Sequence, residues 1–100
     1  WNEKEQFLKK INILVNTTSL GMLGSKKLNL SLSSINKDTT VLDLVYNPIK
    51  TVLLQDAEKH GCKTIDGLGM LLHQATPGFN EWFGIKPIIT SEIRKRILTQ

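Results

Sequence analysis

The chain has 100 residues, of which 40% are hydrophobic and 22% are charged. This composition is typical of one small globular domain or of a piece of a larger one. Thirteen basic against nine acidic residues give a net charge of +4, which we interpret as a solvated surface because no basic–aromatic interleaving accompanies it. The sequence has no apolar run long enough to span a bilayer, so we expect neither nucleic acid nor a membrane as a partner.

Cysteine usage restricts the chemistry further. The single Cys62 cannot form an internal disulfide, and no other cysteine accompanies it to build a zinc site. We therefore expect a reducing, cytoplasmic location and no metal centre. The chain opens at Trp1 within a pattern typical of an amphipathic helix, and we expect it to be a C-terminal fragment of a longer protein.

The first half of the chain predicts a helix and two strands. Residues 2–10 are expected to form the end of a surface helix. Residues 13–15 form a continuous apolar run, which predicts a strand buried on both faces, and a polar, turn-prone stretch follows at 16–21. A lysine-bearing loop and a short helical turn at 31–35 then lead to a second strand at 39–45.

A helix and a third strand follow. Pro48 must end the second strand, because proline cannot continue within a central strand. Thr51 is the predicted N-cap of the next helix, and Gly61 suits its C′ position. Residues 63–65 then form a short strand. The helix is expected to carry four residues inward: Val52, Leu53, Leu54 and Ala57.

The remainder of the chain is organised around DGLGMLLHQA at residues 66–75. Gly67 and Gly69 are expected to form a turn, in which glycine permits positive φ and the close approach of a ligand to the main chain. The helix after this turn is expected to run to about residue 83, with a kink or break at Pro77. A last helix is expected to begin at Thr90 or Ser91.

The alternation of strands and helices predicts an α/β fold with a parallel sheet and right-handed crossovers. In such sheets ligands bind beyond the carboxyl ends of the strands. Those ends are expected at residues 16–21, 43–46 and 66–70, which are the most polar or glycine-rich stretches of the chain. Their convergence on one edge of the sheet predicts a binding site there.

Several side chains near this edge have two open interpretations. Gln74 lies off the apolar arc of its helix, so it is either a binding residue or a solvent-exposed glutamine. Tyr46 at a strand end either binds a ligand or caps the core. Asp43 and Asp66 could act as acid/base groups, but carboxylates more commonly orient backbone N–H groups in turns. No Ser/His/Asp or Cys/His set indicates a covalent mechanism.

Three ordered stretches resemble the shikimate dehydrogenase family, namely NTTSLGM at 16–22, DLVYNP at 43–48 and DGLGML at 66–71. The resemblance implies a two-domain oxidoreductase that reduces 3-dehydroshikimate to shikimate with NADPH, in aromatic amino-acid biosynthesis. It identifies residues 1–100 as the C-terminal half of a Rossmann-like NADP-binding domain with its final helices. The family's substrate domain, phosphate loop, and catalytic lysine and aspartate then lie outside this segment.

The resemblance also implies which residues contact the cofactor. Thr18 corresponds to a cofactor-contacting residue in the turn after the first strand. Leu44 and the backbone of Gly67 correspond to positions beside the nicotinamide. Met70 corresponds to a methionine that packs near the same ring. No catalytic residue is implied within the segment.

For the substrate, the resemblance implies that Tyr46 and Gln74 are the two residues through which this domain reaches shikimate. The implied partner is that small molecule, and the full-length protein is expected to be a monomer or a homodimer. Two other functions remain open. One is a quinate/shikimate dehydrogenase that uses NAD or NADP, and the other is a non-catalytic half-Rossmann binding module.

Overall fold

The computed structural model describes residues 3–100, so Asn2, at the start of the predicted first helix, lies outside the described residues. Within residues 3–100 the sheet is three-stranded and parallel, in the order β1-β2-β3, which confirms the predicted fold class. None of the described helices is both long and apolar enough to cross a membrane. The elements are α1 (Lys4–Leu8), β1 (Ile13–Asn16), β2 (Thr40–Asp43), α2 (Val52–Lys59), β3 (Lys63–Ile65), α3 (Gly67–Phe83) and α4 (Ser91–Leu98).

The chain divides into two compact units, of which the first ends at Gly67 and the second spans Leu68–Gln100. In the first unit, the sheet register decides which residues share a face. Asn16 is paired with Asp43, and Val15 is in line with Leu42 and Ile65. Because side chains alternate along a strand, one face carries Leu14, Asn16, Val41, Asp43 and Thr64, and the other carries Ile13, Val15, Thr40, Leu42, Lys63 and Ile65.

The core of the first unit lies on the face that carries Val41, which has no exposed surface. A cluster of seven buried residues forms this core: Leu8, Leu32, Val41, Leu53, Leu54, Ala57 and Cys62. Helix α2 faces it as predicted, except that Val52 is exposed. Since successive helical residues are about 100° apart, Val52 lies roughly 150° from the middle of the buried arc. Burial raises the pKa of the Cys62 thiol through desolvation.

The opposite face of the sheet is largely exposed, with Thr40 and Leu42 half-buried. Ile13 is 64% exposed and Val15 is 43% exposed, and Ile65 on β3 is also exposed. The prediction that the first strand is buried on both faces is therefore wrong for the described chain. The continuous apolar run identified a strand with two apolar faces, but the described residues cover only one of them.

The ends of α2 confirm the prediction made from its capping residues. The Thr51 hydroxyl oxygen accepts a hydrogen bond from the Leu54 amide at 3.3 Å, as an N-cap does. At the other end His60 is the C-cap, and Gly61 follows it with a φ of +79°. Residues 31–35 form only a turn, in which the Ile35 amide donates to the Leu32 carbonyl at 3.0 Å.

The second unit contains the long helix α3 and the final helix α4. Helix α3 is continuous although Pro77 lies inside it, so the predicted kink or break is not a break, and a kink at Pro77 stays a prediction. Proline removes one N–H donor, but the helix still ends with a bond from the Gly84 amide to the Asn80 carbonyl at 2.8 Å. Thr90 caps α4 by accepting from the Ile93 amide at 3.2 Å, which confirms the predicted start of the last helix.

The exposed sheet face leads to a prediction about the 100-residue chain on its own. We expect this chain to self-associate or to melt without a cooperative transition, because exposed apolar strands and unpaired sheet edges favour association. Replacing Val15, in the middle of the exposed face, by lysine should shift the chain towards monomer. The matched control is Val52→Lys, which changes an exposed valine on α2 and should leave association unchanged.

Size-exclusion chromatography with light scattering, together with thermal melting, measures both properties. A monomeric wild-type chain with a sharp cooperative melt would contradict the prediction.

Candidate functional site

The candidate site begins where β1 and β2 end side by side. Asn16 and Asp43 are the last residues of these strands and are paired in register. Both side chains are buried, with 6% of Asn16 and 0% of Asp43 exposed. The Asn16 Nδ2 donates to Asp43 Oδ1 at 3.0 Å. This bond ties together the ends of the two strands from which the predicted cofactor and substrate contacts emerge.

Three donors satisfy the buried carboxyl group of Asp43. Its Oδ1 accepts from Asn16 Nδ2 and from the Val45 amide, each at 3.0 Å. Its Oδ2 accepts from the Thr51 hydroxyl at 2.6 Å. A buried carboxyl group needs such partners, because burial removes its hydrogen bonds to water. The sequence left Asp43 either as an acid/base group or as a carboxylate that orients neighbouring N–H groups. The geometry supports the second role, because no surface of Asp43 is open to a substrate.

Asn16 holds the turn that contains Thr18. Asn16 Oδ1 accepts from the Thr18 amide at 3.1 Å and from the Thr18 hydroxyl at 2.7 Å. Its Nδ2 donates to the Leu20 carbonyl at 3.0 Å in addition to Asp43. The Thr18 hydroxyl oxygen in turn accepts from the Leu20 amide at 3.1 Å. The exposed Thr18 therefore has a fixed conformation at the carboxyl end of β1.

The segment after β2 carries two of the predicted contacts. The Leu44 amide donates to the Asn16 carbonyl at 3.1 Å, so ladder bonding extends one residue beyond the strand. Leu44 is half-buried, and Val45 is buried and held by Asp43. Tyr46 is 47% exposed, and its hydroxyl has no hydrogen-bond partner among residues 3–100. A half-exposed aromatic ring with a free hydroxyl is available to a polar ligand.

Gly67 lies directly against the end of β2. A Cβ added there would overlap the Leu44 carbonyl oxygen and would lie 2.7 Å from the Leu44 carbonyl carbon and 3.0 Å from the Asp43 carbonyl oxygen. Close main-chain packing therefore requires glycine at this position. The expected glycine turn is wrong, because Gly67 and Gly69 both belong to α3 and neither has a positive φ. The close approach at Gly67 is made by the chain's own backbone.

The other two predicted contacts lie on α3 in the second unit. Met70 is exposed, at the end of the first helical turn after Gly67. Gln74 follows one turn later and is also exposed. Its amide has no hydrogen-bond partner within the described part of the chain. Both side chains are thus accessible, as binding residues must be.

The structure also identifies residues to which the sequence interpretation gave no role at the site. Asn16 was recognised only as part of a polar stretch, and Thr51 only as a helix cap. A partial signal for Asn16 exists in the sequence, because a polar residue at the end of an apolar strand needs a hydrogen-bond partner where it is buried. No group of three or more His, Cys, Asp or Glu residues in the described range is arranged to hold a metal ion.

Fold and geometry together define the class of protein. A parallel α/β sheet with polar residues and a closely packed glycine at the carboxyl ends of its strands has the arrangement of a Rossmann-like nucleotide-binding domain. In that class the loops after the strands contact the ligand, and the helix after a strand begins close to it. The positions of Thr18, Leu44 and Gly67 agree with this arrangement.

Comparison with known proteins gives a more specific assignment. Shikimate dehydrogenase (NADP(+)) of Roseobacter denitrificans is 52% identical over 98 residues, which cover 98% of this chain and 35% of that protein. Quinate dehydrogenase from Corynebacterium glutamicum, solved in complex with NAD, superposes with a TM-score of 0.85 at 34% identity, over 99% of this chain and 35% of that one. Shikimate 5-dehydrogenase from Listeria monocytogenes, solved with shikimate and NAD, gives a TM-score of 0.76 at 34% identity, over 96% of this chain and 35% of that one.

No family model matches the chain. The chain is nevertheless a homologue of the shikimate dehydrogenases over nearly its whole length, which confirms the resemblance seen in its three motifs. It spans about a third of the length of the relatives it matches, with 35% of each covered.

The contact at Gly67 can be tested by substitution. Gly67→Ala should lower the free energy of unfolding by about 1–3 kcal/mol, because the new methyl group must displace backbone at the end of β2. The matched control is Gly69→Ala in the same helix, where an added Cβ has nothing within 4 Å. Alanine there should stabilise by about 0.4–1 kcal/mol. Urea unfolding of both variants of the complete protein that contains this chain provides the measurement, and equal effects at the two glycines would contradict the prediction.

Proposed function

We propose that this chain forms the nicotinamide side of the nucleotide-binding domain in an enzyme that reduces 3-dehydroshikimate to shikimate with NADPH. In this proposal residues 1–100 are the C-terminal half of that domain together with its final helices. The substrate domain, the phosphate loop, and the catalytic lysine and aspartate belong to the remaining length seen in the relatives. The proposed enzyme acts in the cytoplasm on small molecules, as a monomer or homodimer.

One observation carries the proposal. In the first unit, the ends of β1 and β2 are in register and joined by side-chain bonds, and Gly67 packs on the end of β2. This brings to one sheet edge the three first-unit positions that correspond to cofactor contacts in the family, namely Thr18, Leu44 and Gly67. The 52% identity to a protein named shikimate dehydrogenase (NADP(+)) gives independent support.

The residues at this edge suit one side of a nicotinamide nucleotide. Thr18 offers an exposed polar turn and Leu44 offers a half-buried apolar surface. Gly67 packs on the Leu44 carbonyl, which brings its main chain to the same edge. When bound, the cofactor supplies the hydride for carbonyl reduction. The role of this chain is to orient the ring through Leu44 and the Gly67 backbone, with the exposed Met70 as an additional apolar contact.

Substrate orientation is the second proposed role. The Tyr46 hydroxyl and the Gln74 amide are both exposed and lack partners among the described residues, so they can hydrogen-bond the hydroxyl or carboxylate groups of shikimate. Such bonds fix the carbonyl carbon of 3-dehydroshikimate relative to the nicotinamide. Neither residue is proposed to transfer a proton, and the catalytic acid and base are assigned outside this chain.

A second function is favoured by a specific observation. The structural similarity to a quinate dehydrogenase in complex with NAD, with a TM-score of 0.85, supports a quinate/shikimate dehydrogenase that uses NAD or NADP. Kinetics on the complete protein that contains this chain separate the two functions. NADPH oxidation with 3-dehydroshikimate should exceed NAD⁺ reduction with quinate by at least about tenfold in kcat/KM, which is a difference of about 1.4 kcal/mol.

A preference for quinate and NAD⁺ would instead establish the alternative function. If neither activity is found, the chain is better interpreted as part of a non-catalytic binding module. The 100-residue chain assayed alone serves as the negative control, and we expect no turnover from it because the proton-transfer residues are assigned elsewhere.

The two substrate contacts lead to a further prediction in the complete protein. Gln74→Ala should reduce kcat/KM for shikimate roughly tenfold to hundredfold, because an unpaired buried hydrogen-bonding group costs about 1–3 kcal/mol. Tyr46→Phe should act in the same direction through loss of its hydroxyl. The cofactor KM and the melting temperature should change little in either variant, because both side chains are exposed.

The matched control is Gln55→Ala, which removes another exposed helical glutamine, whose amide donates to the Lys50 carbonyl at 3.2 Å. Its kinetics should equal those of the wild-type protein. Unchanged kcat/KM in Gln74→Ala, or a loss of the same size in Gln55→Ala, would remove Gln74 from the substrate site.

A further inference from the structure

Asp43 has an unusual place in this chain, because it joins three separate segments while having no exposed surface. Its donors come from the end of β1 through Asn16, from the segment after β2 through Val45, and from the N-cap of α2 through Thr51. Each donor is itself buried, so water cannot replace the carboxyl group if it is removed. The carboxyl oxygens therefore determine how these three segments meet.

Two of these segments carry residues of the proposed site. Asn16 connects Asp43 to Thr18. Its Nδ2 donates to Asp43, and its Oδ1 accepts two hydrogen bonds from Thr18. The Val45 amide donates to Asp43, and this bond restrains Leu44 and Tyr46, the neighbours of Val45 in the chain. A single buried carboxyl group is thus connected to a proposed cofactor contact on β1 and to proposed cofactor and substrate contacts after β2.

We propose that Asp43 is a positioning residue. Its hydrogen bonds hold the Thr18 turn and the Leu44–Tyr46 segment in fixed positions relative to each other, so that both can contact the ligands. This inference deepens the proposed function and rests on it for its kinetic consequences. Asp43 itself touches neither ligand. It acts through Asn16, Val45 and Thr51, so its loss should impair cofactor and substrate use together, whereas loss of a direct contact should impair mainly one of them.

The chain offers a matched pair of buried threonines to test this proposal. Thr51 and Thr39 are each 1% exposed, and each hydroxyl donates one short hydrogen bond. The Thr51 hydroxyl bonds Asp43 Oδ2 at 2.6 Å, and the Thr39 hydroxyl bonds the Ile11 carbonyl at 2.8 Å. Thr39 directly precedes β2, at the end of the strand opposite to the site. Replacement by valine removes the hydroxyl from either residue with little change in shape.

The experiment uses the complete protein that contains this chain, with variants Thr51→Val, Thr51→Ser, Thr39→Val and Asp43→Asn. Asp43→Asn keeps one oxygen to accept from Asn16 and Val45 but presents an amide NH₂ to Thr51. We expect Thr51→Val and Asp43→Asn to lower kcat/KM for both NADPH and 3-dehydroshikimate by roughly tenfold, as misplacement of binding residues does. Thr51→Ser keeps the hydroxyl and should restore both values to within about twofold of the wild-type protein.

Thr39→Val shows whether a loss of kcat/KM comes from misplaced binding residues or from a general loss of stability. It should lower the melting temperature, though by less than Thr51→Val, which also removes the N-cap bond from the Leu54 amide, and should leave both kcat/KM values within about twofold of the wild-type protein. The inference is overturned if Thr51→Val and Thr39→Val have the same kinetics, or if Thr51→Ser is as impaired as Thr51→Val. Should Asp43→Asn fail to fold, the three threonine variants still give this comparison.

Hydrogen exchange distinguishes failure of the inference from failure of the proposed function. In the same proteins, Thr51→Val should increase amide exchange in peptides covering residues 16–20 and 44–47, and Thr39→Val should not. A wild-type protein without dehydrogenase activity overturns the proposed function, and in that case the exchange data decide the positioning role. Unchanged exchange in both peptides of Thr51→Val overturns that role whether or not the protein is an enzyme.

Discussion

A buried carboxyl group without hydrogen-bond donors is too costly to retain in a small core, and this constraint shapes the site end of the sheet. Asp43 is fully buried, and its three donors come from β1, from the segment after β2 and from the cap of α2. Satisfying them fixes the register at the carboxyl ends of the strands. The same ends carry the exposed Thr18 turn and the exposed Tyr46. In the proposed function, the hydrogen bonds that satisfy Asp43 therefore also orient the residues that contact the ligands.

Gly67 adds a second constraint at the same edge, because its Cα lies so close to the Leu44 carbonyl that no side chain fits. Gly67, the first residue of α3, therefore packs against the end of β2. In contrast, the sheet face that carries Val15 and Ile65 is exposed. The first unit thus combines a tightly determined site edge with an apolar face that the described residues leave uncovered.

Much of the fold could be predicted from the sequence, because its signals are local. Thr51 and Gly61 identified both ends of α2, and Thr90 identified the start of α4, since caps depend on a few neighbouring atoms. The prediction of a turn at Gly67 is wrong, because the sequence does not distinguish a glycine required for close packing from one required for positive φ. The hydrogen bond from Asn16 to Asp43 could not be predicted from the sequence either, since it joins residues 27 positions apart.

In the proposed function, the nicotinamide binds at this sheet edge and the substrate contacts Tyr46 and Gln74. A crystal structure of the complete protein with NADP⁺ and shikimate tests it most directly. The account predicts that Thr18, Leu44 and Gly67 lie within about 4 Å of the cofactor. It also predicts that the Tyr46 hydroxyl and the Gln74 amide lie within about 3.2 Å of shikimate oxygens. A complex in which both ligands bind away from these five residues would contradict the proposed function.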